Sequence, residues 1–101
     1  TAWIEVGAPD ASRLHYGSKL ADRTRVYTHR DPTKVIAQWA GKTIHQAEAI
    51  TVHSFDPGFI DDAVAALERR NTMTLSITER QLYLELNGTT LSSGIHDHSI
   101  V

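Results

Sequence analysis

Glu5 is the residue whose chemistry most needs an account. It stands in the run Trp3-Ile4-Glu5-Val6, an acid among residues suited to a strand interior, where a carboxylate is costly unless it is hydrogen-bonded, paired or bound to a cation. Two readings are open. Strand alternation turns Glu5 toward solvent or a basic neighbour, or it is a metal-ligating carboxylate at the carboxyl end of a central strand, where open α/β sheets place their ligands. Basic side chains follow closely: Arg13, Lys19, Arg23, Arg25 and Arg30 stand against only Asp10 and Asp22 in the stretch from Asp10 to Arg30. That surplus is a modest anion-attracting edge.

The histidines are a weaker signal. His96-Asp97-His98 chelates a metal only if the chain is extended there, because residues two apart in a strand face the same way. A loose tail with incidental histidines is the simpler reading. His15 and Tyr16 are read as helix-surface residues, and His53 and Trp39 as core or edge residues. Glu5-Val6-Gly7 resembles the opening of a methyltransferase cofactor loop, but Ala8-Pro9-Asp10 lacks the glycine-rich continuation.

These residues need elements to position them. Trp3 to Val6 reads as a strand buried on both faces, followed by a turn at Gly7 and a helix over about Pro9 to Asp22, with Pro9 at its first position and Asp10 in its first turn. A second strand at Arg25 to Thr28 completes a βαβ crossover with parallel strands. Asp31-Pro32 caps a second helix extending to about Ile44, by the spacing of Val35, Ile36, Trp39, Ala40 and Ile44. Ile50 to Phe55 is a third strand. After Asp56-Pro57-Gly58, a third helix carries Phe59, Ile60, Ala63, Val64 and Leu67 on one stripe.

From Thr72 the period changes to two. A hairpin with a two-residue loop at Glu79-Arg80 pairs Ile77 with Leu82, Leu75 with Leu84 and Met73 with Leu86, all on one core-covering face. Asn87-Gly88 is a second turn, with a short strand at Thr89 to Leu91 and a weakly structured tail beyond. A strand buried on both faces cannot be an outer edge, so Trp3 to Val6 implies preceding sequence that is not among these residues.

Composition bounds the function classes. The 101 residues are one domain at most, with ordinary hydrophobic (41%) and charged (22%) content. Net charge is −2, which gives no global signal for nucleic acid. The chain has no cysteine, so disulfides and thiolate metal sites are excluded and a reducing cytoplasm is the expected compartment. No run is long and apolar enough for a membrane span, and no signal peptide is visible.

Trp-Ile-Glu-Val-Gly-x-Pro-Asp, a helix containing Arg-Leu and then Val-Tyr-Thr together resemble the YaeQ family of bacterial proteins. The likeness continues through the Trp39 helix, the Ile50 strand, the alanine-rich helix and the terminal hairpin. It implies a variant of the PD-(D/E)XK, restriction-endonuclease-like fold: an α/β domain with a mixed sheet, flanking helices and a C-terminal β-hairpin. Residues 1–101 would be a single incomplete domain, the C-terminal part of that fold, with a helix, antiparallel strands and a motif acid in the absent N-terminal part.

By the same resemblance, Glu5 is the motif acid and a ligand for Mg²⁺ or another divalent metal, with the Val6 carbonyl as a further ligand. The motif lysine should stand two residues after the acid, where this chain has Gly7. A cation displaced into the following helix would then be Lys19, with Arg13 second. Relatives often carry Gln after the glycine and Lys near position 16, against Ala8 and Tyr16 here. The implied function is a YaeQ-like protein with a degenerate metal-dependent phosphodiesterase site. The alternative is a non-catalytic protein whose Arg13, Lys19 and Arg23 edge binds nucleic acid or a transcription-related protein. A third reading is a protein-interaction module that uses the terminal hairpin.

Overall fold

A computed structural model describes residues 1–100. It has six strands, β1 (Ala2–Val6), β2 (Arg23–Tyr27), β3 (Ile50–Phe55), β4 (Met73–Thr78), β5 (Gln81–Leu86) and β6 (Thr89–Ser99), and three helices, α1 (Ala11–Leu20), α2 (Pro32–Ala37) and α3 (Phe59–Ala65). The hydrogen-bonded strand order is β1-β2-β3-β6-β5-β4, a mixed sheet. The described residues divide into two compact units, residues 1–54 with 97–100 and residues 55–96.

In the first unit β1, β2 and β3 are parallel, with Glu5 opposite Val26 and Val26 opposite Val52. Leu14 of α1, Val35 of α2 and Trp39 close over Val26, Ile50 and Val52 to make its core. One sheet face therefore carries both helices. The expectation that Trp3 to Val6 is buried on both faces is corrected: β1 is the sheet's edge among the described residues, with Ile4 61% and Val6 82% exposed. The reason is register. Pairing Glu5 with Val26 aims the acid at the helix-covered face, so the two aliphatic neighbours point the other way.

α1 is shorter than its periodicity suggests. Asp10 is its N-cap, accepting from Arg13 N at 2.8 Å, so Pro9 lies outside the helix. α2 keeps its Asp31 cap and Pro32 but ends at Ala37, well short of Ile44. Trp39 is still buried, because its indole N–H donates 2.8 Å to the Pro9 carbonyl, an anchor that does not require helix. The tail is also corrected. Within this unit Asp97 bonds His53 at 2.6 Å and His98 bonds Ser54 at 3.1 Å, so β6 is an eleven-residue strand held by side-chain partners that strand periodicity does not reveal.

In the second unit β4, β5 and β6 are antiparallel, and β4 pairs with β5 in the expected register: Met73 with Leu86, Leu75 with Leu84, Ile77 with Leu82. Leu82, Leu84, Leu86 and Phe59 are buried, with Ile60, Ala63 and Ala66 packed against them. The expectation that all six hairpin residues cover a core is half corrected. Met73, Leu75 and Ile77 are 56%, 55% and 57% exposed, because α3 spans only seven residues and its apolar stripe meets β5. Val64 and Leu67 are likewise exposed. Both hairpin turns need left-handed backbone: Glu79 and Arg80 have φ of 49° and 67°, Asn87 and Gly88 of 53° and 83°.

Candidate functional site

Glu5 and Arg13 come together. β1 aims Glu5 inward, where it is only 6% exposed. Arg13, one turn into α1, donates Nε–H to Glu5 Oε1 at 2.7 Å. The Trp3 indole N–H reaches the same oxygen at 2.7 Å, and Trp3 in turn sits edge-on to Tyr16, 6.0 Å between ring centroids. Gly17 is what lets the indole lie there, since a Cβ at that position would stand 2.5 Å from Trp3 Nε1.

The pair is electrostatically asymmetric. The Glu5 carboxylate is buried and compensated, whereas the Arg13 side chain is 62% exposed and presents the rest of its guanidinium to solvent. The hydrogen bond to Glu5, then the Glu5 charge, push the Arg13 pKa above its already high value, so this cation stays charged at every physiological pH. Both donors converge on Oε1, and Oε2 accepts from neither.

Lys19 lies on the exposed side of α1, near its C-terminus, with Leu14, Gly17 and Ser18 forming the buried side. Arg13, not Lys19, is the cation that meets Glu5. Val6 is at the exposed end of the edge strand. Among the described residues no group of three or more His, Cys, Asp or Glu side chains is placed to hold a metal ion. One carboxylate with one oxygen engaged by a guanidinium does not by itself complete a divalent-cation site.

Three pairings escaped the sequence reading. In the first unit, buried His53 joins Asp97 at 2.6 Å while stacking on Tyr27 with centroids 4.7 Å apart, and Ser54 joins His98. In the second unit Asp56 Oδ1 meets His96 Nε2 at 2.6 Å, and its Oδ2 accepts from Gly94 N at 3.0 Å. The His96 hydrogen bond first, then the Gly94 N–H, hold the Asp56 carboxyl below its usual range. Each histidine of the His96-x-His98 pattern thus has its own hydrogen-bond partner. The available signal was the acid and histidine spacing of His96-Asp97-His98, legible only once this segment is known to be a strand. His15 is engaged too, its Nδ1 accepting from His45 N at 2.9 Å.

No helix among the described residues is long and apolar enough to cross a membrane. A search of curated proteins finds no match. Among solved structures, the YaeQ protein from Xanthomonas axonopodis pv. citri superposes with a TM-score of 0.74 at 15% identity, covering 97% of this chain and 56% of that one. The YaeQ protein from Pseudomonas syringae superposes with a TM-score of 0.69 at 19% identity, covering 95% of this chain and 53% of that one. The chain thus spans little more than half the length of these relatives. At such identities the likeness establishes the mixed α/β fold. The family model for the YaeQ protein matches residues 1–94, nearly the whole sequence, and the chain therefore belongs to the YaeQ family.

Proposed function

We propose that this chain is part of a restriction-endonuclease-like fold, a variant of PD-(D/E)XK, whose nuclease site has been turned to binding nucleic acid without cutting it. The observation that carries this reading is the 2.7 Å ion pair between Arg13 and Glu5. The acid that such a fold would use for a divalent metal is compensated by a permanent cation, and a dication brought to Oε1 would meet that guanidinium at close range. What remains outward is the charge of Arg13, with Lys19 and Arg23 exposed on α1 and at the start of β2. Such an edge suits phosphate oxygens, which position a nucleic acid without reading its sequence.

The test is fluorescence anisotropy of a labelled duplex on the full-length protein across a salt series. Three phosphate contacts correspond to roughly a 40-fold loss of affinity between 50 and 200 mM salt. Lys19→Ala combined with Arg23→Ala should flatten that dependence, and Mg²⁺ or Mn²⁺ should produce no cleavage. Absent or salt-insensitive binding would sink the proposal.

A second reading, a metal-dependent phosphodiesterase, is favoured by one detail: Oε2 of Glu5 accepts neither donor. It requires further acids from sequence outside these 101 residues. Calorimetry of Mg²⁺ on the full-length protein, wild type against Glu5→Ala, decides it, because loss of metal binding in the variant would restore the catalytic reading. A transcription-related protein partner in place of nucleic acid would appear as binding that survives removal of the basic edge.

A further inference from the structure

The turn between β5 and β6 is Asn87-Gly88, a dipeptide suited to its left-handed backbone. The same dipeptide is chemically reactive. Glycine has no side chain to shield its backbone nitrogen, which can attack the amide carbon of the asparagine before it. Gly88 is exposed, and the space where a Cβ would stand is open. The chain's other asparagine, Asn71, is followed by Thr72, whose branched side chain obstructs that attack. What restrains Asn87 is a clasp within the second unit. Its Oδ1 accepts from Thr72 N at 2.9 Å, and its Nδ2 donates to the Ala66 carbonyl at 3.0 Å and to Asn71 Oδ1 at 2.9 Å. Asn71 is fixed in turn, its Oδ1 accepting from Glu68 N at 2.8 Å and its Nδ2 donating to the Glu68 carbonyl at 3.0 Å. Neither amide can turn over without setting donor against donor or acceptor against acceptor. The clasp ties the connection between α3 and β4 to the β5–β6 turn.

We propose that Asn87 is a site of spontaneous deamidation, gated by this clasp, and that the modification releases the connection from Ala66 to Thr72. The Gly88 nitrogen attacks Asn87 Cγ and gives up its proton to water, while the side-chain nitrogen takes up a proton and leaves as ammonia. A second water opens the resulting succinimide, either to aspartate or to isoaspartate, whose main chain runs through Cγ. Water is the only co-reactant. Departure of the nitrogen breaks both bonds that Nδ2 makes, so the reaction waits on local opening of the clasp. The aspartate product keeps an acceptor for Thr72 N but sets a charged oxygen against the Ala66 carbonyl and Asn71 Oδ1, which are both acceptors here. The isoaspartate product adds a carbon to the two-residue turn that joins the paired Leu86 and Thr89. Either product loosens the clasp that slowed its formation.

The measurement is peptide mapping by mass spectrometry of the full-length protein held at neutral pH, native and in urea, for wild type and Asn71→Ala. The amide-to-acid mass shift should accumulate at Asn87 and not at Asn71, most slowly in the native wild type and fastest in urea. Native Asn71→Ala, which removes one partner of Nδ2, should react about five-fold faster than native wild type, the factor that one net hydrogen bond is worth. Equal rates for native and unfolded wild type overturn the proposal, as does a folded Asn71→Ala that reacts no faster than wild type. If Asn71→Ala misfolds, Asn87→Asp supplies the second measurement by installing one product directly. Arg69 and Arg70 lie exposed in the clasped connection, so limited trypsin digestion should cut there faster in native Asn87→Asp than in wild type. An unchanged cleavage rate at Arg69 and Arg70 overturns the proposal.

Discussion

Trp3, Glu5, Arg13 and Gly17 act as one unit: the glycine makes room for the indole, and the indole and guanidinium together neutralise an acid that the register of β1 has turned inward. Gly17→Ala tests this arrangement. The new methyl would overlap the Trp3 ring, and overpacking of this kind costs about 1–3 kcal/mol. The expected readout is a lower urea midpoint together with altered tryptophan fluorescence. An unchanged midpoint would mean that the indole moves freely. Asp56 gives a second prediction at this scale. Its carboxyl pKa is lowered in the folded state by His96 and the Gly94 N–H, so its contribution to stability is present above the ordinary carboxylate range. That contribution is lost as pH falls through the lowered value. Asp56→Asn should therefore destabilise the protein at neutral pH and flatten its acid-side stability slope, measured as thermal midpoints across a pH series. The exposure of the pair (49% and 52%) keeps the effect small.

At the scale of elements, the hairpin turn between β4 and β5 works against local preference. Glu79 and Arg80 both adopt positive φ, a conformation that suits Asn and Gly. Glu79→Asn should stabilise the protein by about 0.5–1 kcal/mol, read as a higher thermal midpoint; a lower midpoint would show that the Glu79 side chain contributes more than its backbone costs. The next turn is better supplied, since the Asn87 side chain accepts from Thr72 N at 2.9 Å and donates to the Ala66 carbonyl at 3.0 Å. The register of this hairpin was legible because alternating Leu and Thr leave one way to keep a face apolar. The length of α2 was not legible. Val35, Ile36, Trp39 and Ile44 have helical spacing, but Trp39 is fixed by the Pro9 carbonyl and Gly41 adopts a φ of 73°, so packing replaced helix beyond Ala37.

At the scale of the molecule, apolar side chains stand in water on both units: Ile4 and Val6 on the first, Met73, Leu75 and Ile77 on the second. A chain of this length buries a limited fraction of its surface, and these residues reduce that fraction further. The 101-residue chain alone is therefore expected to unfold without a cooperative calorimetric transition, whereas the full-length protein should show one. A sharp transition for the short chain would refute this. The family match and the structural likeness concern this region only, and relatives nearly twice as long carry it within a larger chain.

Sequence alone determined the βαβ start, the cap at Asp31, the turn at Asn87-Gly88, the third strand, the hairpin register and the Trp-Ile-Glu-Val-Gly block that marks the family. These are local or period-two signals, written in neighbouring residues. Tertiary structure decided the rest. Which cation meets Glu5 depended on where α1 lies over β1, and that put Arg13 in contact and left Lys19 exposed. Residues 92–94 extend the strand by pairing with Tyr83, Leu82 and Gln81 of β5, while His96, Asp97 and His98 meet partners about forty residues away, Asp56, His53 and Ser54, because Ser, Gly and His carry no periodic signal of their own. Burial of an acid between two exposed aliphatics is likewise a matter of register between strands, which no single strand encodes.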